Sequence, residues 1–346
     1  SPEDGAAMVA ADVHLGAPTD LDALLRFAKG CDVVTFDHEQ VPGEHIRALA
    51  AAGVTVYPSA DALHYTQDKA AMRERLGALG LPVPRWRRIG TAADLAEFGA
   101  EVGWPVVVKA VSGGYDGRGV WLVAGPDEIA SQLAAGTPLL AEERVPLRRE
   151  LAVQVARSPF GQVAVYPAVE TVQSDGICVE VIAPAPDLDD DLATEIQQLA
   201  IRIATELDVV GLLAVELFET EAGVVVNELA MRPHNSGHWT IEGARTSQFE
   251  QHLRAVLDYP LGECRMTAPV VVMANLLGTA ERVAGQSLDE RLHHLFAAEP
   301  GVKVHLYGKQ TRPGRKIGHV TALGDDLAQV RARAARAVRV LREGSH

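Results

Sequence analysis

The chain has 346 residues, of which 47% are hydrophobic, and a formal net charge of −14 at pH 7. This length predicts two or three domains with sizeable cores. The acidic balance argues against nucleic-acid binding, which needs a basic face, but allows a local basic pocket for a phosphorylated small molecule. Cys31, Cys178 and Cys264 are widely spaced without a CxxC pair, which indicates a reducing cytoplasm rather than a disulfide framework or a zinc pattern. We expect no membrane association and no signal peptide, because no apolar run approaches about 20 residues.

Strand and helix patterns alternate along the chain, which predicts an α/β fold. Residues 31–36 and 54–57 are predicted strands around a helix over 44–52, a βαβ unit with a parallel sheet. Further helices are predicted over 67–79, 91–100 (with Thr91 as its cap), 127–135, 192–207 and 246–257. Further strands are predicted over 105–110, 120–123, 139–145, 151–156, 163–172, 209–218, 224–229 and 270–276, followed by a smaller mixed region.

Two glutamates lie in the strands of a predicted hairpin. If its turn centres near Ala222, Glu216 lies opposite Glu228, with Cβ atoms about 5 Å apart. Two such like charges destabilise a sheet unless a divalent cation neutralises them, and Mg²⁺ takes one or two carboxylates together with substrate phosphates. Asn227 is placed to add an oxygen. The alternative is a pair of exposed glutamates on a solvated edge hairpin.

A lysine and a glycine-rich loop follow the strand predicted over 105–110. Lys109 is expected at the carboxyl edge of a sheet, where ligands bind in α/β folds. In the loop SGGYDGRG (112–119), glycines allow backbone N–H groups to approach phosphates. The loop leads into a strand, so it is neither a Rossmann fingerprint nor a Walker A loop, and a flap over a triphosphate fits better. A glycine-rich hairpin without a ligand is the alternative.

Three further segments carry polar side chains suited to a ligand. Strand 139–145 could bind adenine through its backbone and lead to a ribose-binding carboxylate at Glu150, although an ordinary surface strand is the alternative. The donor-rich segment RPHNSGHW (232–239) suits a small oxyanion. A zinc site there is disfavoured because no HExxH motif is present, and a packed polar loop is the alternative. The basic segment 307–316 indicates a phosphate site or a solvated turn.

Together these motifs resemble the N5-carboxyaminoimidazole ribonucleotide synthetases, ATP-grasp enzymes of purine synthesis. The likeness runs from about residue 31 to about residue 320, and GGYDGRG and RPHNSGHWT are its specific parts. It implies an α/β ATP-grasp fold with an N-terminal Rossmann-like (pre-ATP-grasp) domain over 1–66. This domain would be followed by an ATP-grasp domain over 67–263, which includes a lid subdomain over 106–156. A small C-terminal mixed α+β domain over 264–346 would end the chain. The family's opening strand and glycine loop are not found, so we expect the first domain to lack its first strand.

The resemblance also implies the residues that bind ATP and Mg²⁺. Glu216 and Glu228 would hold Mg²⁺, and Glu150 would hold the ribose. Gln173, which stands where some members have histidine, would be a further nucleotide contact. The remaining nucleotide-binding residues would lie along the phosphate site, the flap and the adenine strand: Lys69, Lys109, Ser112, Gly114, Tyr115, Gly117, Gly119, Glu142, Glu143, Arg144, Val145 and Asn227.

The second implied region is the carboxylation site. Bicarbonate would attack ATP to give carboxyphosphate, whose carboxyl group would pass to the exocyclic amine of aminoimidazole ribonucleotide, leaving ADP and phosphate. Tyr115 and Asp116 would face this nucleotide, and the base is left open between Asp116 and His234. Bicarbonate would be surrounded by Arg232, His234, Asn235 and Ser236, and the nucleotide phosphate would meet Lys309, Arg312, Arg315 and Lys316.

The resemblance also implies a homodimer that acts on small molecules. Together with the cysteine spacing, the acidic charge and the lack of a long apolar run, we expect a cytoplasmic protein that binds neither nucleic acid nor membranes. Two alternatives remain at this point. One is another ATP-grasp ligase, such as formate-dependent glycinamide ribonucleotide transformylase or biotin carboxylase. The other is a catalytically silent ATP-binding protein of the same fold, whose signature would be loss of a metal carboxylate or of a phosphate-binding lysine.

Overall fold

The N-terminal segment is mainly helical in the computed structural model, which describes residues 5–114, 117–279 and 286–344. It contains α1 (Leu21–Ala28), α2 (Gly43–Ala51) and α3 (Ala60–Gln67). The strands predicted over 31–36 and 54–57 are wrong in extent, because they meet only at a parallel bridge between Val34 and Val56. The parallel direction of the predicted βαβ unit is confirmed. Among the described residues no other strand pairs with either segment, so the bridge does not grow into a ladder.

A four-stranded antiparallel sheet follows α4 (Lys69–Ala78). It consists of β1 (Trp86–Ile89), β2 (Val106–Ala110), β3 (Val120–Val123) and β4 (Leu139–Glu143), in the order β1-β4-β2-β3. Helix α5 (Ala92–Val102) begins at a capping box between Thr91 and Asp94, so the predicted cap is confirmed. The helix predicted over 127–135 is divided into a 3₁₀ turn (Pro126–Ile129) and α6 (Ala130–Ala134).

The central sheet has nine strands, and the pairs along it are antiparallel. The strands are β5 (Arg149–Arg157), β6 (Val163–Val165), β7 (Val169–Ser174), β8 (Ile177–Ala183), β9 (Gly211–Thr220), β10 (Gly223–Ala230), β11 (Val270–Leu277), β12 (Lys303–Leu306) and β13 (Lys316–Gly324). Their order is β10-β9-β5-β7-β8-β11-β13-β12, with β6 beside β5. The strand predicted over 163–172 is interrupted at Pro167, which has no N–H to donate to a ladder.

Helices cover this sheet and join it to the N-terminal segment. Helix α7 (Asp190–Glu206) begins at the N-cap Asp189 and packs on β5. One buried apolar cluster includes Leu49 and Leu63 of the N-terminal helices together with Leu213 and Val215 of β9. None of the helices in the described ranges is long and apolar enough to cross a membrane. The remaining helices are α8 (Thr240–Gly243), α9 (Gln248–Val256), α10 (Leu288–Ala298) and α11 (Leu327–Glu343).

The C-terminal strands do not form a sheet of their own, since β11 pairs with both β8 and β13. Residues 264–346 therefore contribute three strands to the central sheet and pack α11 against β11 and β13. A domain with an independent core would be expected to have its own sheet or helix layer. The division into three domains at residues 66 and 263 stays a prediction.

His252 connects the N-terminal segment to the central sheet. Its Nδ1 accepts a hydrogen bond from the Leu212 N–H at 3.0 Å, so Nε2 carries the hydrogen and donates to Thr35 Oγ1 at 2.8 Å. Burial lowers the pKa of His252 to about 4, which keeps the ring neutral at pH 7. Gly211 lies against this ring, because a Cβ at that position would come within 2.8 Å of His252 Cε1.

We expect Gly211→Ala to destabilise the protein more than Gly223→Ala. Both glycines have positive φ, +105° and +119°, so alanine is strained at either position. Only the new methyl group at Gly211 would press on a buried ring, and overpacking of this kind costs about 1–3 kcal/mol. Urea unfolding of the two variants measures the difference. Equal destabilisation would contradict the contact with His252 as the cause.

Candidate active site

Glu216 on β9 and Glu228 on β10 are cross-strand partners, as predicted. Nearer the turn Val226 pairs with Leu217, a register that would by itself place Glu216 opposite Asn227. A β-bulge between Val226 and Glu228 inserts Asn227 and restores the glutamate pair. The predicted pairing is therefore confirmed, but the turn lies slightly earlier than assumed and the bulge makes up the difference.

The carboxyl group of Glu216 lies in an acidic and desolvated position. Burial, followed by the charges of Glu228 and Glu150, raises its pKa to about 8, and Lys316 and Lys109 oppose this shift only in part. The side chain is one-third exposed, so its carboxyl group remains accessible to a ligand. The repulsion expected from sequence is present, and a bound cation would remove it.

A metal at this position would need ligands from a bound substrate. In the described ranges no group of three or more His, Cys, Asp or Glu side chains is arranged to hold a metal ion. Glu216 and Glu228 provide two carboxylates and Asn227 an amide oxygen, which are the hard oxygen donors that Mg²⁺ prefers. Because Mg²⁺ commonly completes its coordination with phosphate oxygens and water, this donor set fits Mg²⁺ bound together with a polyphosphate.

Two lysines surround the bulge. Lys69 Nζ, at the start of α4, donates to Glu228 Oε1 at 2.7 Å. Lys109 Nζ donates to Asn227 Oδ1 at 3.0 Å and lies 2.8 Å from Glu142 Oε2. The structure thus brings together the two lysines predicted to bind phosphate. The reason given for Lys109 is wrong, because β2 is antiparallel to both neighbours and Lys109 lies within the strand rather than beyond its carboxyl edge.

Glu142 and Arg73 form a buried ion pair beside these lysines. Arg73 Nε donates to Glu142 Oε1 at 2.7 Å, and the residues are only 1% and 2% exposed. Burial favours the neutral acid, but the charges of Lys109 and Arg73 outweigh it and lower the pKa of Glu142 to about 2. The Glu142 side chain is thus directed at cations, and any contact with adenine would come from its backbone. Sequence analysis missed Arg73, whose signal is its position one helical turn after Lys69.

The rest of the predicted adenine strand is more open. The Glu143 carboxylate accepts hydrogen bonds from the backbone N–H and the Nε of Arg85, at 2.9 and 2.7 Å. Arg144 is exposed, and Val145 is half-buried. Glu143 ends β4, and Arg144 and Val145 lie in the connection that leads from β4 to β5 of the central sheet. Their contact with adenine stays a prediction.

Glu150 and Gln173 lie close to the carboxylate pair. Burial raises the pKa of Glu150, while a hydrogen bond from Gln173 and the charge of Lys109 act in the opposite direction. The charge of Glu150 also contributes to the raised pKa of Glu216. The structure therefore places the predicted ribose-binding carboxylate next to the predicted metal and phosphate positions.

His234 is oriented by a chain of buried hydrogen bonds. Gln154 Nε2 donates to Ser236 Oγ at 2.8 Å, and the Ser236 hydroxyl donates to His234 Nδ1 at 2.8 Å. Nδ1 also accepts from the Ser236 N–H at 3.3 Å, so the hydrogen of the neutral ring is on Nε2, which lies 3.4 Å from Glu216 Oε1. Burial, aided by nearby cations, lowers the pKa of His234 to about 3. The ring therefore presents an N–H donor beside the carboxylate pair.

Arg232 and Asn235 are each held by a residue from another element. Arg232 Nε donates to Glu39 Oε1 at 2.7 Å, and the Arg232 side chain is about one-quarter exposed. Asn235 and Asn275 exchange two amide hydrogen bonds of 2.9 and 2.8 Å. Arg232 thus retains donors for a ligand, whereas the Asn235 amide is engaged on both its nitrogen and its oxygen.

The described parts of the flap reach the turn between β7 and β8. Gly117 has a φ of +75°, and a Cβ there would lie 3.4 Å from the Cα of Gly176 in that turn. The two backbones therefore touch without intervening side chains. Tyr115 and Asp116, predicted to face the nucleotide, lie outside the described residues.

The other flap residues adopt a close loop between β2 and β3. Ser112 is exposed, and a Cβ at Gly114 would collide with the Arg118 carbonyl oxygen at 2.6 Å. Gly119 has a φ of +72°, and its carbonyl accepts a hydrogen bond from the Ala110 N–H at 2.8 Å. The predicted arrangement of a glycine-rich loop joining two strands is confirmed.

The four basic residues predicted to bind phosphate divide into two groups. Lys316, the first residue of β13, is half-buried, and its charge opposes the raised pKa of Glu216 and lowers that of His234. It therefore lies at the carboxylate pair rather than with the outer basic cluster. The other three are exposed between β12 and β13: Lys309, Arg312 and Arg315.

In the absence of divalent metal, the wild-type protein should lose stability relative to Glu216→Gln as the pH rises. The pKa of Glu216 in the folded protein, about 8, is above the ordinary value of 4.5 for a glutamate, so the folded state holds a proton that the unfolded chain releases. The stabilisation is complete below pH 4.5 and is lost as the pH rises through 8. Thermal unfolding in EDTA at pH 5, 7 and 9 measures this. A difference that does not change with pH would contradict the raised pKa.

Comparisons with known proteins cover nearly the whole chain. Three family models match: the ribonucleotide synthetase preATP-grasp domain over residues 1–67, the ATP-grasp domain over 74–249 and the phosphoribosylaminoimidazole carboxylase C-terminal domain over 271–333. The chain is 60% identical to the N5-carboxyaminoimidazole ribonucleotide synthase of Mycobacterium tuberculosis, over 99% of this chain and 81% of that protein. It is 50% identical to the synthase of Corynebacterium ammoniagenes, over 93% and 79%.

Solved structures agree with these sequence matches. The synthetase from Thermus thermophilus is similar with a TM-score of 0.87 and 38% identity, over 99% of this chain and 91% of that one. The Aspergillus clavatus enzyme, solved in complex with ADP and 5-aminoimidazole ribonucleotide, has a TM-score of 0.85 and 34% identity over 97% and 89%. Because these matches span both sheets and every segment of the site, the chain belongs to the N5-carboxyaminoimidazole ribonucleotide synthase family of ATP-dependent ligases with the ATP-grasp fold.

Proposed function

We propose that this chain uses ATP to carboxylate 5-aminoimidazole ribonucleotide, with bicarbonate as the carboxyl source and Mg²⁺ as the metal. The observation that carries this proposal is the 3.4 Å contact between His234 and Glu216. It joins a site suited to a metal-bound polyphosphate to a loop suited to a small oxyanion. The ligands of the Aspergillus clavatus structure, ADP and 5-aminoimidazole ribonucleotide, support the choice of the nucleotide substrates.

At the polyphosphate side, this chain supplies both cations and carboxylates. Lys69 and Lys109 would bind the phosphates, and as Lys69 turns towards a phosphate it would release Glu228 from their 2.7 Å ion pair. Glu216 and Glu228 would then hold Mg²⁺, whose chemistry is to neutralise charge on the transferring phosphoryl group. The buried position of Lys109 strengthens its attraction for phosphate, because the local dielectric constant is low.

At the oxyanion side, Arg232, His234 and Lys316 would bind bicarbonate. A bicarbonate oxygen would attack the γ-phosphorus, and the bond to the bridging oxygen of ADP would break. The ribonucleotide amine would then attack the carboxyl carbon of carboxyphosphate, phosphate would leave and the amine would lose a proton. Since His234 carries its hydrogen on Nε2 and has a pKa of about 3, it suits donation to an oxyanion and is a poor base. Asp116 is the remaining candidate for the base.

Two further properties belong to the same proposal. We propose that the protein works in the cytoplasm as a homodimer on small molecules. The three unpaired cysteines support a reducing compartment, because a secreted chain would tend to oxidise them. The likeness to synthetase relatives along nearly the whole chain supports a shared assembly.

ADP formation should require both 5-aminoimidazole ribonucleotide and bicarbonate. A coupled assay for ADP, with each substrate omitted in turn, measures this requirement. Formate with glycinamide ribonucleotide is the control for the transformylase alternative. Turnover with that pair alone would overturn the proposal, and ATP binding without turnover on any pair would support the silent ATP-binding alternative.

Glu228→Gln should lower the rate of Mg²⁺-dependent ADP formation by roughly 100-fold, because an electrostatic contact in the reaction centre is lost at constant side-chain volume. Steady-state assays at several Mg²⁺ concentrations measure both the rate and the Mg²⁺ requirement. Glu221→Gln, an exposed residue in the turn of the same hairpin, is the matched control and should behave as wild type. Wild-type kinetics in Glu228→Gln would refute the metal site.

A further inference from the structure

Arg73 is a buried arginine that touches both sheets. Besides the ion pair with Glu142 on β4, its Nη1 donates to the Val226 carbonyl at 3.0 Å and its Nη2 donates to the Asn227 carbonyl at 2.7 Å. These two carbonyls are the backbone of the β-bulge in β10. One guanidinium therefore connects the four-stranded sheet to the bulge of the central sheet.

The carbonyls matter because the bulge determines the position of Glu228. A β-bulge disrupts the ladder locally, and a buried carbonyl without a donor costs free energy. Without the bulge, the register of Val226 and Leu217 would continue, put Asn227 opposite Glu216 and turn Glu228 to the other face of the sheet. The donors of Arg73 therefore stabilise the conformation that keeps both glutamates on one face.

Arg73 also acts on Lys109, through Glu142. The two cations share the Glu142 carboxylate, with Arg73 at one oxygen and Lys109 at the other, at 2.7 and 2.8 Å. Lys109 is thereby held where it also donates to Asn227 Oδ1. The buried group of Arg73, Glu142 and Lys109 carries one excess positive charge, which suits a neighbouring anion.

We propose that Arg73 is a positioning residue for the metal and phosphate site, which it organises by holding the bulge and, through Glu142, the ammonium group of Lys109. This inference rests on the proposed Mg²⁺ role of Glu216 and Glu228. The competing explanation is that Arg73 is an ordinary buried ion pair that only joins two sheets. The two explanations differ in whether the geometry at the bulge affects metal use.

The variant Arg73→Lys distinguishes these two explanations. Lysine keeps a positive charge for Glu142, but it lacks the planar fork that donates to a carboxylate and two carbonyls at once. We expect a folded protein with a melting temperature lowered by a few degrees. The Mg²⁺ concentration for half-maximal ADP formation should rise about tenfold, as for other residues that orient metal ligands, and the KM for ATP should rise with it.

The control is Arg75→Lys on the same helix. The Arg75 side chain is partly exposed and donates to the Glu206 carbonyl rather than to the bulge, so this variant should keep the wild-type Mg²⁺ requirement. Arg73→Gln is the second variant if Arg73→Lys folds poorly. A half-saturating concentration is independent of the amount of active enzyme, so it can be measured in a partly unfolded preparation.

Two results would overturn the proposal, and only the second of them would also refute the metal site. A lower melting temperature with a wild-type Mg²⁺ requirement in Arg73→Lys, while Glu228→Gln raises that requirement, would reduce Arg73 to a structural role. If Glu228→Gln also leaves the Mg²⁺ requirement unchanged, the metal site itself is refuted, and the role of Arg73 falls with it. A raised requirement in both variants, with Arg75→Lys unchanged, supports the positioning role.

Discussion

The β-bulge at Asn227 is the constraint on which the site depends. It places two acidic side chains on one face of a sheet, where burial and mutual repulsion make them unstable without a compensating charge. Three neighbouring elements each place a positively charged side chain near the pair. Helix α4 contributes Lys69, strand β2 contributes Lys109 and strand β13 contributes Lys316. The excess of negative charge at Glu216 is thus offset in part by groups that a triphosphate or a small oxyanion would also use.

The strand pattern with a turn assumed near Ala222 predicted the glutamate pair, although the observed pair depends on a bulge that the pattern does not contain. Motif order predicted the ATP-grasp fold, whereas the ligands of the two predicted loops stay predictions. The bulge could not be predicted, because it is stabilised by tertiary donors far away in sequence. Arg73, one helical turn after Lys69, carried only a weak signal in the sequence. Glu142 shows the same limit: a charged residue in a short strand usually indicates exposure, yet its partner lies on α4 and buries it. The N-terminal strands were overestimated because an apolar run alone does not supply a pairing partner.

The loop after β10 gains its order from residues whose roles are indirect. Gln154, Asn275 and Gln248 have no obvious chemistry in the sequence, yet each is buried and bonded to the loop. Each of these three buried amide side chains makes at least one hydrogen bond to the loop that carries the neutral His234 ring. These bonds constrain the loop before any ligand arrives, which leaves less conformational entropy to lose on binding.

The contact between the flap and the β7–β8 turn has a consequence for water exclusion. Gly117 and Gly176 approach so closely that a Cβ on either one would lie 3.4 or 3.3 Å from the other's Cα. At this contact the two backbones are thus separated only by the hydrogen atoms of the glycines. If the flap covers the phosphates as proposed, a larger residue on either side would hold the two backbones apart and leave a gap there. The proposed carboxyphosphate would be hydrolysed by water entering such a gap, so two glycines at this contact would protect the yield of each ATP consumed.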